Sequence, residues 1–200
     1  VRVDRSMHPL LDVREPERTL YVVVTADRGL CGGFNANITR RANAIFQDLD
    51  PASFELICVG KKGHDFFKRR DFTIAEQFLR FFDNLEYSHA QVITDEVVRF
   101  YIEGKFDRVI FIYNEFKSAV QQLVIEEQLL PVKADEELAE STASNIDYDY
   151  EPEPLKLLDT IVPLNLAIQV WRILLESHAA EQAARMTAME NATNNAQDMI

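Results

Sequence analysis

The stretch ADRGLCGGFN, residues 26–35, places a cysteine between glycines. Its central part, Gly29-Leu30-Cys31-Gly32-Gly33, matches the pattern G-x-C-x-G, which is the nucleophile-elbow pattern with a thiol in place of the serine hydroxyl. A cysteine on such a turn can act as a nucleophile when a histidine takes its proton. Glycine-rich turns also bind phosphate groups through their backbone N–H groups. The sequence therefore raises two chemical hypotheses, nucleophilic catalysis by Cys31 and nucleotide binding.

The histidines do not favour Cys31 as a nucleophile. In an enzyme with this elbow, the nucleophile is followed along the chain by an acid and then by the histidine. His8 precedes the cysteine, His64 and His89 fall in or next to predicted helices, and His178 lies in a long C-terminal helical segment. We therefore interpret Cys31 as a small structural thiol and keep a cysteine-dependent α/β hydrolase as the alternative function.

The nucleotide-binding hypothesis fails on spacing. A P-loop has Lys and then Ser or Thr after its last glycine, whereas Phe34 and Asn35 stand at those positions. The three glycines do not have the spacing of a dinucleotide fingerprint, and the charge of Asp27 would repel a phosphate. We expect no cofactor, and we interpret the stretch as a tight strand-to-helix turn with positive-φ glycines and Asn35 as the helix N-cap.

Composition argues against several other kinds of site. The formal net charge of −12 would repel a phosphate backbone, so nucleic acid is not an expected partner. The basic run at residues 61–70 is interpreted as the solvated face of a short helix. Cys31 and Cys58 lack C-x-x-C spacing, which argues against a zinc site or a disulfide framework. A proline and several polar residues interrupt the apolar stretch 161–175, so we expect no transmembrane segment.

Hydrophobic periodicity predicts an α/β fold. Short β-branched runs predict strands, and apolar residues at helical spacing predict helices. The predicted strands cover residues 19–25, 54–59 and 109–113. The predicted helices cover residues 34–49, a short segment around Phe66 and Phe67, and residues 88–103. Residues 119–132 are a further strand or a hairpin partner. This order predicts a Rossmann-like, mostly parallel sheet with flanking helices.

The C-terminal part of the chain has a different composition. Residues 133–154 are rich in Asp and Glu and are interpreted as a solvated acidic loop. After Pro163 neither Gly nor Pro occurs, so a helix from there to Ile200 would span roughly 57 Å. The alanine-rich second half of this helix buries little apolar surface by itself and therefore requires a close-packed partner helix. We expect an α/β domain over residues 1–160 and a long shaft helix over residues 161–200.

Three segments carry a resemblance to a known family. TADRGLCGGFN at residues 25–35 follows the first predicted strand, YDYEP at residues 148–152 precedes the long helix, and SHAAEQAARMTAMENATNNA at residues 177–196 lies within it. Together they resemble the gamma subunit of the rotary F-type ATP synthase in a bacterial form. The resemblance extends over essentially the whole chain, but the N-terminal helix and the C-terminal end of the family's antiparallel coiled coil are expected to be missing.

The resemblance implies a noncatalytic subunit of an ATP synthase complex. It implies a central-stalk rotor that turns inside the ring of alpha and beta subunits, sits on the membrane c-ring, binds epsilon and couples proton flow to ATP synthesis. The implied location is peripheral, on the cytoplasmic face of the bacterial plasma membrane. Arg28 is expected to contact an acidic loop of a beta subunit, and a local ion pair with Asp27 or a neighbour is the alternative. The candidate partner-contact residues are Arg28, Gly29, Leu30, Cys31, Gly32, Arg185, Met186 and Met189.

Overall fold

A computed structural model of the chain describes residues 8–132 and 154–199. The strands are β1 Thr19–Val24, β2 Phe54–Val59, β3 Ile74–Phe78, β4 Arg108–Ser118 and β5 Gln121–Leu130. The helices are α1 Phe34–Gln47, α2 Lys61–Lys68, α3 Tyr87–Ile102 and α4 Pro154–Asp198, and a 3-10 helix covers Phe81–Asp83. These elements confirm the predicted fold class, a mostly parallel sheet with flanking helices and a long C-terminal helix.

The strands form one five-stranded sheet in the order β3-β2-β1-β4-β5. β1 pairs in parallel with β2 and β4, and β2 pairs in parallel with β3. The run TLYVVV of β1 carries no charge and is buried from Leu20 onward, as expected for a central strand covered on both faces. β5 returns antiparallel to β4, which confirms that residues 119–132 contain a hairpin partner.

The two faces of the sheet carry separate apolar clusters, because successive side chains of a strand point to opposite faces. Leu20 and Val22 pack on the first face with α3 and the first half of α4. Tyr21 packs on the second face with α1 and α2. The second cluster also contains Ala180 and Ala184. α4 therefore contacts the first cluster and then the second along its length.

β3 and the 3-10 helix were not among the predicted elements. β3 has the sequence IAEQF, and none of its residues is fully buried. It lies at the edge of the sheet with β2 as its neighbour. A half-exposed edge strand needs no continuous apolar run, so the hydrophobic pattern did not reveal it.

α4 begins earlier than the sequence predicts. It starts at Pro154 rather than near residue 161, and Pro163 lies inside it. Proline lacks an N–H group and crowds the preceding turn, so a helix is usually expected to begin at or after such a residue. The acidic segment, apart from Pro154, lies outside the described residues, as does its YDYEP motif. The division into domains at residues 160 and 161 stays a prediction.

The two ends of α4 have different surroundings. Leu166, Val170 and Leu174 are buried in the first apolar cluster, whereas residues 189–199 are exposed. The sequence predicts no transmembrane segment, yet Leu155–Asp198 is long and apolar enough to cross a membrane by length and composition alone. The apolar stretch that passes this test is 28% buried within the described chain, where one face of α4 packs on the sheet and α3.

Candidate interaction site at the glycine loop

The glycine loop, residues 27–33, joins β1 to α1 and lies against α4. Gly33 is the N-cap of α1, so the prediction that Asn35 caps this helix is wrong. The Asn35 side chain turns back into the loop instead. Its Oδ1 accepts a hydrogen bond from Ala26 N–H at 2.9 Å, and its Nδ2 donates one to the Arg28 carbonyl at 3.3 Å. Asn35 thereby stabilises the closed form of the loop.

Two residues of the loop have left-handed backbone. Gly32 has φ +54°, whereas Gly33 has φ −81°, so the expected positive-φ glycines are confirmed at Gly32 but not at Gly33. Leu30 has φ 62°, which sequence reasoning missed. Its side chain is 78% exposed, so packing within the described chain does not account for a bulky residue in this strained conformation. Leu30 therefore stays a candidate partner-contact residue.

Cys31 is a buried thiol. It is 2% exposed and packs in the second apolar cluster with Ala184. Burial raises the pKa of the Cys31 thiol, and the nearby carboxylate of Glu181 raises it further. A protonated thiol is a poor nucleophile. Its hydrogen-bond partners in the described part of the chain are the Asn35 amide and the Arg28 carbonyl, neither of which is a general base. The geometry supports the structural interpretation of Cys31.

Side chains of α4 hold the loop against the helix. Arg185 Nη2 donates to Glu181 Oε1 at 2.6 Å and to the Gly29 carbonyl at 3.4 Å. Glu181 is 4% exposed, so Arg185 compensates a buried carboxylate. A Cβ on Gly32 would lie 3.9 Å from the Ala184 carbonyl oxygen, which shows how closely the loop approaches α4. Sequence reasoning selected Arg185 and missed Glu181, although the i, i+4 spacing on a helix was an available signal.

Arg28 forms an ion pair with Asp83 of the 3-10 helix, with 2.7 Å between Nη2 and Oδ1. The side chains are 75% and 43% exposed, so the pair is solvated and contributes little. The local ion pair therefore exists, with Asp83 rather than Asp27 as the partner. Asp27 Oδ1 instead accepts hydrogen bonds from the N–H groups of Lys61 and Arg80, each at 3.0 Å.

A cavity of about 410 Å³ lies between the glycine loop, the 3-10 helix and α4, which line it together. His178 stacks on Phe82 with ring centroids 5.7 Å apart, and its Nδ1 lies 3.7 Å from Glu181 Oε2. Within residues 8–132 and 154–199, no group of three or more His, Cys, Asp and Glu side chains could hold a metal ion. The lining residues are Asp27, Arg28, Phe82, Asp83, His178, Glu181, Gln182 and Arg185.

Most of the partner-contact candidates lie together at this junction. Arg28 and Leu30 are exposed on the loop, and Cys31 is buried beneath it, which makes Cys31 a poor direct contact. Met186 and Met189 lie on α4 with 57% and 43% of their surface exposed. The site is therefore a charged and apolar surface where α4 passes the carboxyl end of β1, with no nucleophile-base pair.

Sequence relatives identify the family. A family model described as ATP synthase matches residues 1–200. The ATP synthase gamma chain of Chlorobium phaeobacteroides (strain BS1) is 42% identical over 205 residues, covering 100% of this chain and 70% of the relative. The ATP synthase gamma chain of Chlorobaculum parvum is 44% identical with the same coverage.

Solved structures agree with the sequence relatives. A chain in the cryo-EM structure of the Tetrahymena thermophila mitochondrial ATP synthase central stalk/c-ring matches with a TM-score of 0.74 and 31% identity, covering 91% of this chain and 79% of that chain. A chain of the Euglena gracilis mitochondrial ATP synthase rotor has a TM-score of 0.70 at 22% identity, covering 100% and 78%, and shows the shared fold. The chain thus belongs to the ATP synthase gamma family, whose members are noncatalytic subunits of the central stalk.

Proposed function

We propose that this chain is the rotor subunit of a proton-translocating ATP synthase, which turns inside the ring of alpha and beta subunits and couples c-ring rotation to ATP synthesis. The observation that carries the proposal is α4. Its 45 residues span roughly 67 Å, contain no glycine, and end in turns that are fully exposed. A long helix that packs on the folded body over residues 162–184 and is exposed beyond residue 188 is a suitable shaft.

An exposed apolar stripe on α4 supports a coiled-coil shaft. Ile161, Leu164, Ile168 and Leu175 are between 44% and 51% exposed, although the opposite face of the same segment is buried. Their spacing of three, four and seven residues is that of a coiled-coil seam. An antiparallel partner helix would cover this stripe and then continue along the alanine-rich end.

The glycine loop is the proposed contact for a beta subunit. Arg28 would meet an acidic loop there, and Leu30 would bury its exposed side chain against the same partner. The α/β body would bind epsilon and the c-ring, in a complex peripheral to the cytoplasmic face of a bacterial plasma membrane. The Tetrahymena relative is solved together with a c-ring, which supports that partner.

Rotation of a label on the α/β body tests the proposal. Both native cysteines are buried, so a cysteine introduced at the exposed Arg69 would bind a thiol-reactive gold rod selectively. In the full-length gamma chain assembled with surface-fixed alpha and beta subunits, ATP should turn the rod in one direction. The chain with native Arg69 should bind no rod. A rod that stays fixed while ATP is hydrolysed would contradict the proposal.

A further inference from the structure

A polar cluster joins α4 to the hairpin of β4 and β5. Arg172 Nη1 donates to the Tyr113 hydroxyl at 3.2 Å, and Nη2 forms an ion pair with Glu127. The Tyr113 hydroxyl in turn donates to Glu127 Oε2 at 2.8 Å. Arg172 Nη1 also donates to Glu176 Oε1 at 3.0 Å. One guanidinium therefore connects β4, β5 and α4, and we name these four residues the Arg172 cluster.

We propose that Arg172 is a positioning residue that fixes the rotational setting of α4, about the helix's own axis, against the sheet. The proposal rests on the rotor function proposed above, because a shaft transmits torque only if it does not slip in its mounting. Arg172, Tyr113 and Glu127 would be the contact that prevents slipping in this half of α4.

Apolar packing alone does not supply this restraint. Leu166, Val170 and Leu174 bury the inner face of α4 in the same region. Apolar burial is non-directional, so apolar packing resists large rotations of the helix but restrains small ones less sharply than directional hydrogen bonds do. Hydrogen bonds weaken steeply as their angles change, and the guanidinium of Arg172 is planar with donors in fixed directions. Rotation of α4 would therefore break the contacts of Arg172 first.

The surroundings of Tyr113 and Arg172 keep each of these two side chains in one protonation state. Tyr113 is fully buried, and burial together with the hydrogen bond to Glu127 raises the pKa of its hydroxyl. The hydroxyl therefore stays protonated and continues to donate. Burial lowers the pKa of Arg172, but hydrogen bonds to Glu127, Tyr113 and Glu176 raise it overall. The contact is therefore constant at neutral pH.

The Arg172 cluster is separate from the proposed partner contact at the glycine loop. Arg185, which holds the glycine loop, lies roughly 20 Å further along α4. Within the described residues, Arg172 contacts Tyr113, Glu127 and Glu176, none of which lies on the glycine loop. A substitution of Arg172 therefore changes the mounting of α4 without changing the proposed contact at Arg28 and Leu30.

Hydrogen exchange and proton pumping in the assembled enzyme test the proposal. Arg172→Gln removes the ion pair with Glu127. Arg99→Gln is the matched control, because the described ion pairs of Arg99 are local: they join Glu96 of the same helix α3 and Glu103, its C-cap residue. In ATP synthase containing the full-length gamma chain, we expect amides of β5 and the facing part of α4 to exchange about fivefold faster in Arg172→Gln. Fewer protons should also be pumped per ATP hydrolysed. Arg99→Gln should change neither quantity.

The two proposals fail in distinguishable ways. Equal exchange and equal proton pumping in Arg172→Gln and Arg99→Gln would overturn the role of Arg172. Arg172→Lys keeps the positive charge but lacks the planar guanidinium, so its exchange rates and its proton pumping should lie between those of the native chain and those of Arg172→Gln. It replaces the Gln variant if that variant does not assemble. If a gamma chain labelled through Arg69→Cys and otherwise unchanged does not turn its gold rod, the rotor function is contradicted, whereas the exchange comparison still reports whether Arg172 holds α4.

Discussion

Leu30 combines a strained backbone with an exposed apolar side chain. Neighbouring positions do not share this combination, because Cys31 is buried and Gly32 adopts positive φ without a side-chain penalty. A left-handed conformation costs a residue with a Cβ roughly 1–2 kcal/mol. Leu30 is 78% exposed, so burial of its side chain within the described chain does not offset that cost. This combination supports the proposal that Leu30 contacts a partner.

Replacement of Leu30 separates the two roles. We expect Leu30→Gly to leave the free energy of unfolding of the chain unchanged or to raise it by up to about 1 kcal/mol, because relief of strain offsets the entropy cost of glycine. Thermal or denaturant unfolding would measure this. In the assembled enzyme the same variant should weaken coupling, since the proposed apolar contact is lost. Destabilisation of the isolated chain by more than about 1 kcal/mol would show that Leu30 packs within the fold.

The sequence allowed candidate contact residues to be selected, but it did not reveal the residues with which they form ion pairs. Arg28 and Arg185 stand in short motifs and could be selected from the sequence. Asp83, which pairs with Arg28, lies 55 residues away, and Glu127, which pairs with Arg172, lies 45 residues away. Such pairs follow from the crossing of elements in the sheet, which no local pattern encodes. Glu181 is the exception, since its position four residues before Arg185 on a predicted helix could have indicated the pair.

At the scale of elements, the junction between β2 and α2 is held by backbone hydrogen bonds to the ends of the neighbouring strands β1 and β3. Gly60 has φ +92°, and its N–H donates to the Phe78 carbonyl at 2.8 Å. Thr25, which follows β1, donates its N–H to the Val59 carbonyl at 2.8 Å. A Cβ at position 60 would lie 2.0 Å from the Thr25 carbonyl oxygen. The carboxyl ends of β1, β2 and β3 are therefore joined through backbone that admits no side chain.

Gly60→Ala should destabilise the chain severely. We expect a loss of about 3 kcal/mol or more, because strain at positive φ adds to a backbone clash. Gly29→Ala is the matched control, since its Cβ would lie 3.8 Å from the nearest atoms, those of the Lys62 side chain. Chemical denaturation of both variants gives the comparison. Equal stability of the two would mean that the junction relaxes around the added methyl group.

The elements that could be predicted are those with a clear pattern of apolar residues along the sequence. β1, β2 and the core of β4 are apolar runs, and α1 and α3 have a clear helical period, so their positions were predicted within a few residues. β3 lies at an edge and mixes polar with apolar residues, so its pattern is weak. The start of α4 was misplaced because Pro163 is tolerated inside a helix that is packed on a sheet.

At the scale of the whole molecule, α4 links the two sides of the sheet. Its first half belongs to the apolar cluster with α3, and Ala180 and Ala184 belong to the cluster with α1. Relative motion of α4 would therefore disturb both clusters together. This arrangement is consistent with a body and a shaft that move as one unit. The sequence indicated a long helix, but not that it would contact both clusters.

The double contact of α4 also sets a rule for chain length. Each residue turns a helix by about 100°, so the number of residues between Leu174 and Ala180 fixes the angular phase between the two contacts. One residue inserted after Glu176 would turn Ala180 away from the second apolar cluster, and we expect it to lower the unfolding midpoint by at least about 5 °C. The same insertion after the exposed Thr193 should leave the midpoint unchanged, and equal losses would contradict this reasoning. We therefore expect insertions between the two contacts to destabilise this chain far more than insertions in the exposed turns around Thr193.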